Sequence, residues 1–183
     1  MQKTTQKSSR PLLFLFLITM ILFLLDLNGI LCKSSGAKAS PRPHLTTFLR
    51  HIEKRQAEGK AQFAIWTSKM EHNALPIIET LFNKADAQSF RTKLLFCWYK
   101  SHCTPIYTDE DPYAVVKDLE HVWHFYPQFD ETNTYLVDDT PSKIGKYTPN
   151  LIHVPAFEGP RKAPNDCALL DLCAIIDSKL GSL

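Results

Sequence analysis

Ile21-Leu-Phe-Leu-Leu-Asp26-Leu-Asn28-Gly-Ile-Leu31 is the stretch on which the fold turns, because it admits two incompatible readings. In the first, Ile21 to Leu25 closes a fifteen-residue uncharged run from Pro11, preceded by a basic segment from Met1 to Arg10. That pattern is similar to the apolar region of a secretory signal, and Ala37-Lys-Ala39 supplies an A-x-A cleavage pattern. Fifteen residues fall short of the roughly 18 that a spanning helix requires. In the second reading, Ile21 to Leu25 is a short strand buried on both faces, as strands of parallel sheets are. Its carboxyl end then presents Asp26-Leu-Asn28-Gly-Ile-Leu31. Cleavage after Ala39 would discard Asp26, so only one reading can serve a function that uses Asp26.

The composition favours a folded domain. The chain has 183 residues, 44% apolar and 22% charged, enough for one core and too few for a second full catalytic domain. Setting aside Lys3, Lys7 and Arg10, which precede the first acidic residue, leaves 18 basic residues against 19 acidic ones. That balance leaves no basic footprint for nucleic acid. The five cysteines, Cys32, Cys97, Cys103, Cys167 and Cys173, lack the CxxC pairs of zinc and redox motifs. Their odd number and scatter fit reduced thiols inside a cell, in nucleus or cytoplasm. The boundary falls between a basic and apolar tail, residues 1–20, and one domain, residues 21–183.

Beyond Asp26, strands and helices alternate. Residues 32–43, rich in Ser, Gly, Ala and Lys, read as a loop or small flap. Leu45, Phe48, Leu49 and Ile52 stand at i, i+3, i+4 and i+7, predicting a helix over 43–57. Strands are expected at 63–66, 94–98, 135–137 and 152–154. Helices are expected at 73–83, 113–123 and 168–180, with a loop over 102–111. This alternation predicts an α/β fold with a mostly parallel sheet, and such sheets bind ligands outside the carboxyl ends of their strands.

Polar residues gather at those ends. Asp26 follows the first strand, Thr67-Ser68 follows 63–66, and Asp138-Asp139 follow 135–137. Acidic groups at adjacent strand ends suit a hard cation such as Mg²⁺. With phosphate charge shielded, Asp26 can attack phosphorus, Thr67 can bond a phosphoryl oxygen, and Lys117 can offset developing charge.

In order, Asp26-x-Asn28-Gly-x-Leu31, Trp66-Thr67-Ser68, Val116-Lys117-Asp118-Leu119 and Leu136-Val-Asp138-Asp139-Thr-Pro141 resemble the four motifs of the haloacid dehalogenase-like superfamily. Within it the chain is similar to the phosphatases of the RNA polymerase II C-terminal domain and their NLI-interacting-factor-like relatives. Arg42-Pro43, Leu94-Leu-Phe-Cys-Trp98 with Ser101-His-Cys-Thr104, and Asn133-Thr-x-Leu136 resemble the plant branch. The resemblance implies a Rossmann-like three-layer αβα fold with no large cap domain. It also implies an Mg²⁺-dependent protein Ser/Thr phosphatase working through an aspartyl phosphate. Asp26 would be nucleophile and metal ligand, joined by the Asn28 carbonyl and Asp138, with Asp139 supporting them. Thr67, Ser68 and Lys117 would hold the phosphoryl group.

One position departs from the family. Active members carry a second aspartate, as general acid and base, where this chain has Asn28. An amide cannot shuttle a proton, and losing such help costs on the order of 10²- to 10⁴-fold in rate. Only 41 positions separate Asp26 from Thr67, so the site is expected to be open and to suit a phosphorylated protein segment. A different class of reading makes the domain a weak or inactive binding module, similar to the receptor subunit of the mitochondrial inner-membrane presequence translocase. The tail is compatible with organelle targeting or membrane tethering.

Overall fold

The computed structural model describes residues 20–107 and 111–181. The basic and apolar tail expected over residues 1–20 therefore lies, but for its last residue, outside the described part. Among the described residues, no helix is long and apolar enough to cross a membrane.

In chain order the elements are β1 (Ile21–Leu25), β2 (Cys32–Ser35), β3 (Lys38–Pro41), α1 (Leu45–Ala57), β4 (Ala61–Trp66), α2 (Glu71–Lys84) and α3 (Gln88–Arg91). They continue with β5 (Cys97–Trp98), β6 (Thr104–Pro105), β7 (Val115–Val116), α4 (Leu119–Phe125), β8 (Thr134–Asp138), β9 (Leu151–His153) and α5 (Ala168–Gly181). Five strands form one parallel sheet in the order β5-β4-β1-β8-β9. The expected Rossmann-like α/β fold is therefore present.

The strand reading of Ile21–Leu25 is the correct one, since β1 is the central strand and all five of its residues are buried. Its side chains alternate between two cores, as a period of two requires. Ile21, Phe23 and Leu25 pack with α1, α2 and α5, while Leu22 and Leu24 pack with α4, Trp66, Trp98 and Phe129. A continuous apolar run is thus what a strand covered on both faces needs. The Ala37-Lys38-Ala39 pattern lies downstream of this strand, at the β2–β3 flap.

Elsewhere the structure refines or corrects the expected elements. Of the loop or small flap expected over residues 32–43, the flap is present, as an antiparallel hairpin of β2 with β3. The helix expected over 113–123 begins only at Leu119. Two causes oppose its first half: β-branched Val115 and Val116 pair with Pro105 and Thr104, and Asp118 caps the helix by accepting from the Glu120 amide. Lys117 accordingly sits in the joint between β7 and α4, not on a helix face. Its partner β6 lies within the segment expected to be loop. The strand expected over 94–98 is confined to Cys97–Trp98, with Leu95 still bonding the Phe63 carbonyl from outside it.

The sheet centre is tightly filled. Phe23 stacks on Phe63 at 5.4 Å and on Tyr135 at 5.9 Å between ring centres, and is fully buried. Phe23→Ala is expected to cost about 3–5 kcal/mol of stability, read from urea denaturation.

Candidate active site

Register places the acidic residues side by side. Leu25 is level with Val137 of β8 and with Ile65 of β4, and the Asp26 amide bonds the Val137 carbonyl at 2.9 Å. Asp26 and Asp138 therefore leave neighbouring strands together, while Thr67 leaves β4 just beyond, its amide fixed to the Trp98 carbonyl at 2.9 Å.

Lys117 joins them. Its Nζ donates to Asp26 Oδ1 and to Asp138 Oδ2, each at 2.6 Å, and its side chain is 1% exposed. The Lys117 amide bonds the Lys143 carbonyl at 2.6 Å, which fastens the β7–α4 joint to the loop after β8. Burial opposes the ammonium, but the two carboxylates outweigh it and raise its pKa. Burial likewise raises Asp26; Lys117 pulls it down, Asp138 and Asp139 push it up, and the balance is about 6. Burial is the largest of these influences on Asp26.

Asn28 is held by the flap. Its Oδ1 accepts from the Ser34 amide at 2.9 Å and from Ser34 Oγ at 2.7 Å. Gly29 then turns with φ +93, and a Cβ there would lie 1.9 Å from Asp139 Oδ2. The Asp139 carboxylate thus packs against this turn, while its Oδ1 accepts from Thr140 Oγ1 at 2.9 Å. Asp138 Oδ1 accepts from the Thr140 amide at 2.9 Å. Thr67 Oγ1 accepts from the Lys69 amide at 3.3 Å.

Asp26, Asn28, Thr67, Ser68, Asp138 and Asp139 all line one open cleft of about 230 Å³, together with Lys69, Thr140 and Lys143. Lys117 lies beneath it. Every residue singled out from the sequence is therefore brought to one place. The interval between Asp26 and Thr67 holds only the flap, α1 and β4, so no cap domain stands there. Among the described residues no three His, Cys, Asp or Glu side chains group to hold a metal ion by themselves. The donors near Asp26 are oxygens of several kinds, and Lys117 stands between two of the carboxylates. All five cysteines are unpaired thiols.

The sequence reading gave Arg42 no role beyond a motif, and the structure gives it one. Only 2% exposed, Arg42 bonds Asp166 through Nε (2.8 Å) and Nη2 (2.9 Å), the Gly29 carbonyl through Nη1 (2.9 Å) and the Pro155 carbonyl through Nη2 (2.9 Å). The Phe157 amide reaches the same Gly29 carbonyl at 2.8 Å. The turn bearing Asp26 and Asn28 is thereby tied to the segment between β9 and α5. No spacing rule links Arg42 to Asp166 across 124 residues. Lys69, Ser34 and Lys143 were also missed, because a lone polar residue in a loop carries no pattern.

A model of the NLI interacting factor-like phosphatases matches residues 8–182. The chain belongs to that family. Two solved structures share the fold of this NLI interacting factor-like phosphatase. One is the fission yeast RNA polymerase II CTD phosphatase Fcp1 bound to beryllium fluoride, at 14% identity and TM-score 0.55 over 90% of this chain and 51% of that one. The other is the cobalt-bound deoxy-D-mannose-octulosonate 8-phosphate phosphatase of Haemophilus influenzae, at 10% identity and TM-score 0.50, over 90% and 91%. The chain spans about half the length of the fission yeast enzyme. No curated protein matches it.

Two outcomes are expected of this geometry. Arg42→Leu leaves the Asp166 carboxylate without its cation and takes a donor from the Gly29, Ile30 and Pro155 carbonyls, and is expected to cost about 3 kcal/mol or more in urea denaturation, with Arg42→Lys failing to restore the parent value because it lacks the fork. In metal-free protein, Asp26 binds its proton more tightly folded (about 6) than unfolded (3.8), so its contribution to stability is full below the lower value and lost as pH rises through about 6. Asp26→Asn should therefore gain on the parent between pH 4 and 7 when denaturation midpoints are compared.

Proposed function

We propose that this phosphatase removes the phosphoryl group from a phosphorylated protein segment through an aspartyl phosphate on Asp26, with Mg²⁺ bound. One observation carries the reading: Lys117 Nζ sits 2.6 Å from both Asp26 and Asp138 beneath an open cleft that Thr67 and Ser68 also line. That arrangement keeps Asp26 oriented while its Oδ2 accepts no hydrogen bond from the described residues. Oδ2 is the atom free to attack phosphorus.

The other residues fall into roles around that attack. Thr67 Oγ1 accepts from the Lys69 amide, which leaves its own proton to donate to a phosphoryl oxygen. Ser68 and Lys69 line the same wall, where hydroxyl and ammonium meet negative oxygens. Lys117 offsets the charge that collects between nucleophile and phosphorus.

The donor set fits a hard cation. Asp26, Asp138 and the Asn28 backbone carbonyl would hold it, all oxygen ligands, and it would offset both the burial that raises Asp26 and the neighbouring charges of Asp138 and Asp139. Bound Mg²⁺ would neutralise phosphate oxygens and draw Asp26 toward its charged form. Asp139 would act from behind, by bracing the turn at Gly29.

The substrate reading rests on access. A cleft of about 230 Å³ with no cap among the described residues is small and open for a metabolite, which sites usually enclose within about 300–1,000 Å³. A phosphoserine or phosphothreonine held on an extended segment can enter it. Asn28 makes turnover of such esters slow.

Purified protein assayed with an aryl phosphate tests the reading. Phosphate release is expected with Mg²⁺ and not with chelator, and Asp26→Asn should be lower by at least about 10²-fold. Equal rates for parent and Asp26→Asn, or no Mg²⁺ dependence, would remove the aspartyl-phosphate mechanism.

A further inference from the structure

Asn28 is held at the cleft in a single orientation. A backbone N–H can only donate, so the atom of Asn28 that meets the Ser34 amide at 2.9 Å must be its oxygen. The Ser34 hydroxyl donates to the same oxygen at 2.7 Å. The flap therefore pins the amide in one orientation, and Nδ2, which makes no hydrogen bond to the described residues, is left to face the cleft that Asn28 lines. An NH₂ group offers two hydrogen bonds to a departing oxygen but no proton that it can surrender.

Three other ionisable groups of the cleft are engaged. Asp138 holds Lys117, Asp139 is packed against Gly29 and bonded by Thr140, and Lys143 Nζ donates to the Val115 carbonyl at 3.2 Å. Lys69 follows Thr67 and Ser68, which would receive phosphoryl oxygens, and its amide bonds Thr67 Oγ1 at 3.3 Å.

We infer that the site transfers phosphoryl groups from oxygens of low basicity, an acyl or an aryl phosphate, and handles alkyl phosphates poorly. The inference rests on Asp26 being the nucleophile. In the step, a lone pair of Asp26 Oδ2 forms the new O–P bond and the bond from phosphorus to the leaving oxygen breaks. Its electron pair goes to that oxygen. A carboxylate or phenolate carries the pair away as an anion and takes any proton from solvent afterwards. The alkoxide of serine or threonine is far more basic and has to be protonated as it leaves, which Asn28 cannot do. In the second step, water attacks phosphorus, the bond to Asp26 breaks, and its electron pair returns to the Asp26 carboxylate. The water's proton goes to solvent without help from Asn28, so the phosphoenzyme lives longer than one served by a carboxylate at this position.

Single-turnover phosphorylation of the full chain decides the matter, with acetyl phosphate and with one peptide carrying either phosphotyrosine or phosphoserine. Protein-bound phosphate is read by intact-protein mass spectrometry for the parent, Asn28→Asp and Asp26→Asn. Folding of each is checked by thermal melting. The parent is expected to accumulate phosphoenzyme from acetyl phosphate, the phosphotyrosine peptide or both, the responding donor distinguishing an acyl from an aryl source. Asn28→Asp should speed the phosphoserine reaction by about 10²- to 10⁴-fold, change the acetyl phosphate reaction little, and shorten the life of the phosphoenzyme. A parent that reacts equally with the two peptides, or an Asn28→Asp that speeds every donor alike, overturns the inference and leaves the phosphatase reading standing. If neither parent nor Asn28→Asp labels with any donor, both readings fall.

Discussion

A single buried ammonium organises this molecule. Lys117 reaches two carboxylates at 2.6 Å each, one just past the central strand β1 and one at the end of its neighbour β8. Three separate parts of the chain, the ends of β1 and β8 and the joint before α4, meet at one nitrogen. Burying such a cluster is expensive, and ion groups of this kind are weak contributors to stability compared with apolar packing of similar volume. The apolar faces of β1 supply the stability instead. What the cluster contributes is position: the register that levels Leu25 with Val137 fixes the spacing of Asp26 and Asp138 before any side chain chooses a rotamer.

A second cation does for the loop what Lys117 does for the strand ends. Arg42 has one carboxylate partner and otherwise bonds carbonyls, so its charge is spent on fixing backbone. The Gly29 carbonyl receives both Arg42 and the Phe157 amide, and the Asp139 carboxylate fills the place of a Cβ at the same residue. The Asp26–Asn28 turn is therefore clamped between the loop after β8 and the segment after β9. Rigid support of this kind is what a site needs if its nucleophile is to hold one orientation.

The legible part of the sequence was the part governed by period and order. α1 and α5 show their apolar stripes, the fully apolar β1 announces a strand covered on both faces, and the four motifs keep their order along the chain. Each of those signals depends on local chemistry repeated several times. The elements misread were too short to repeat: β6 and β7 have two residues each and exist only because they pair with each other. Val115 and Val116 sit in an apolar spacing that a helix would share, and the Asp118 cap is a single residue. Arg42 was invisible as a contact because its meaning lies in Gly29, Pro155 and Asp166, and only the fold brings these together. The site was thus legible as a set of residues, while the supports that hold it were not.

Asn28 shows why fold and chemistry can separate at one position. The demands of the fold on this residue are met by its oxygen, which accepts from the Ser34 amide and hydroxyl and so closes the flap over the turn. A carboxylate would satisfy the same two donors, since it too presents an acceptor there. The two side chains have the same shape and differ at the other branch, where one has NH₂ and the other an oxygen that can bind and release a proton. Folding does not register that branch, because it makes no hydrogen bond to the described residues. The reaction depends on it. A substitution at this atom therefore leaves the nucleophile, its lysine and the phosphoryl wall in place, and acts only on the leaving group and on the water that follows.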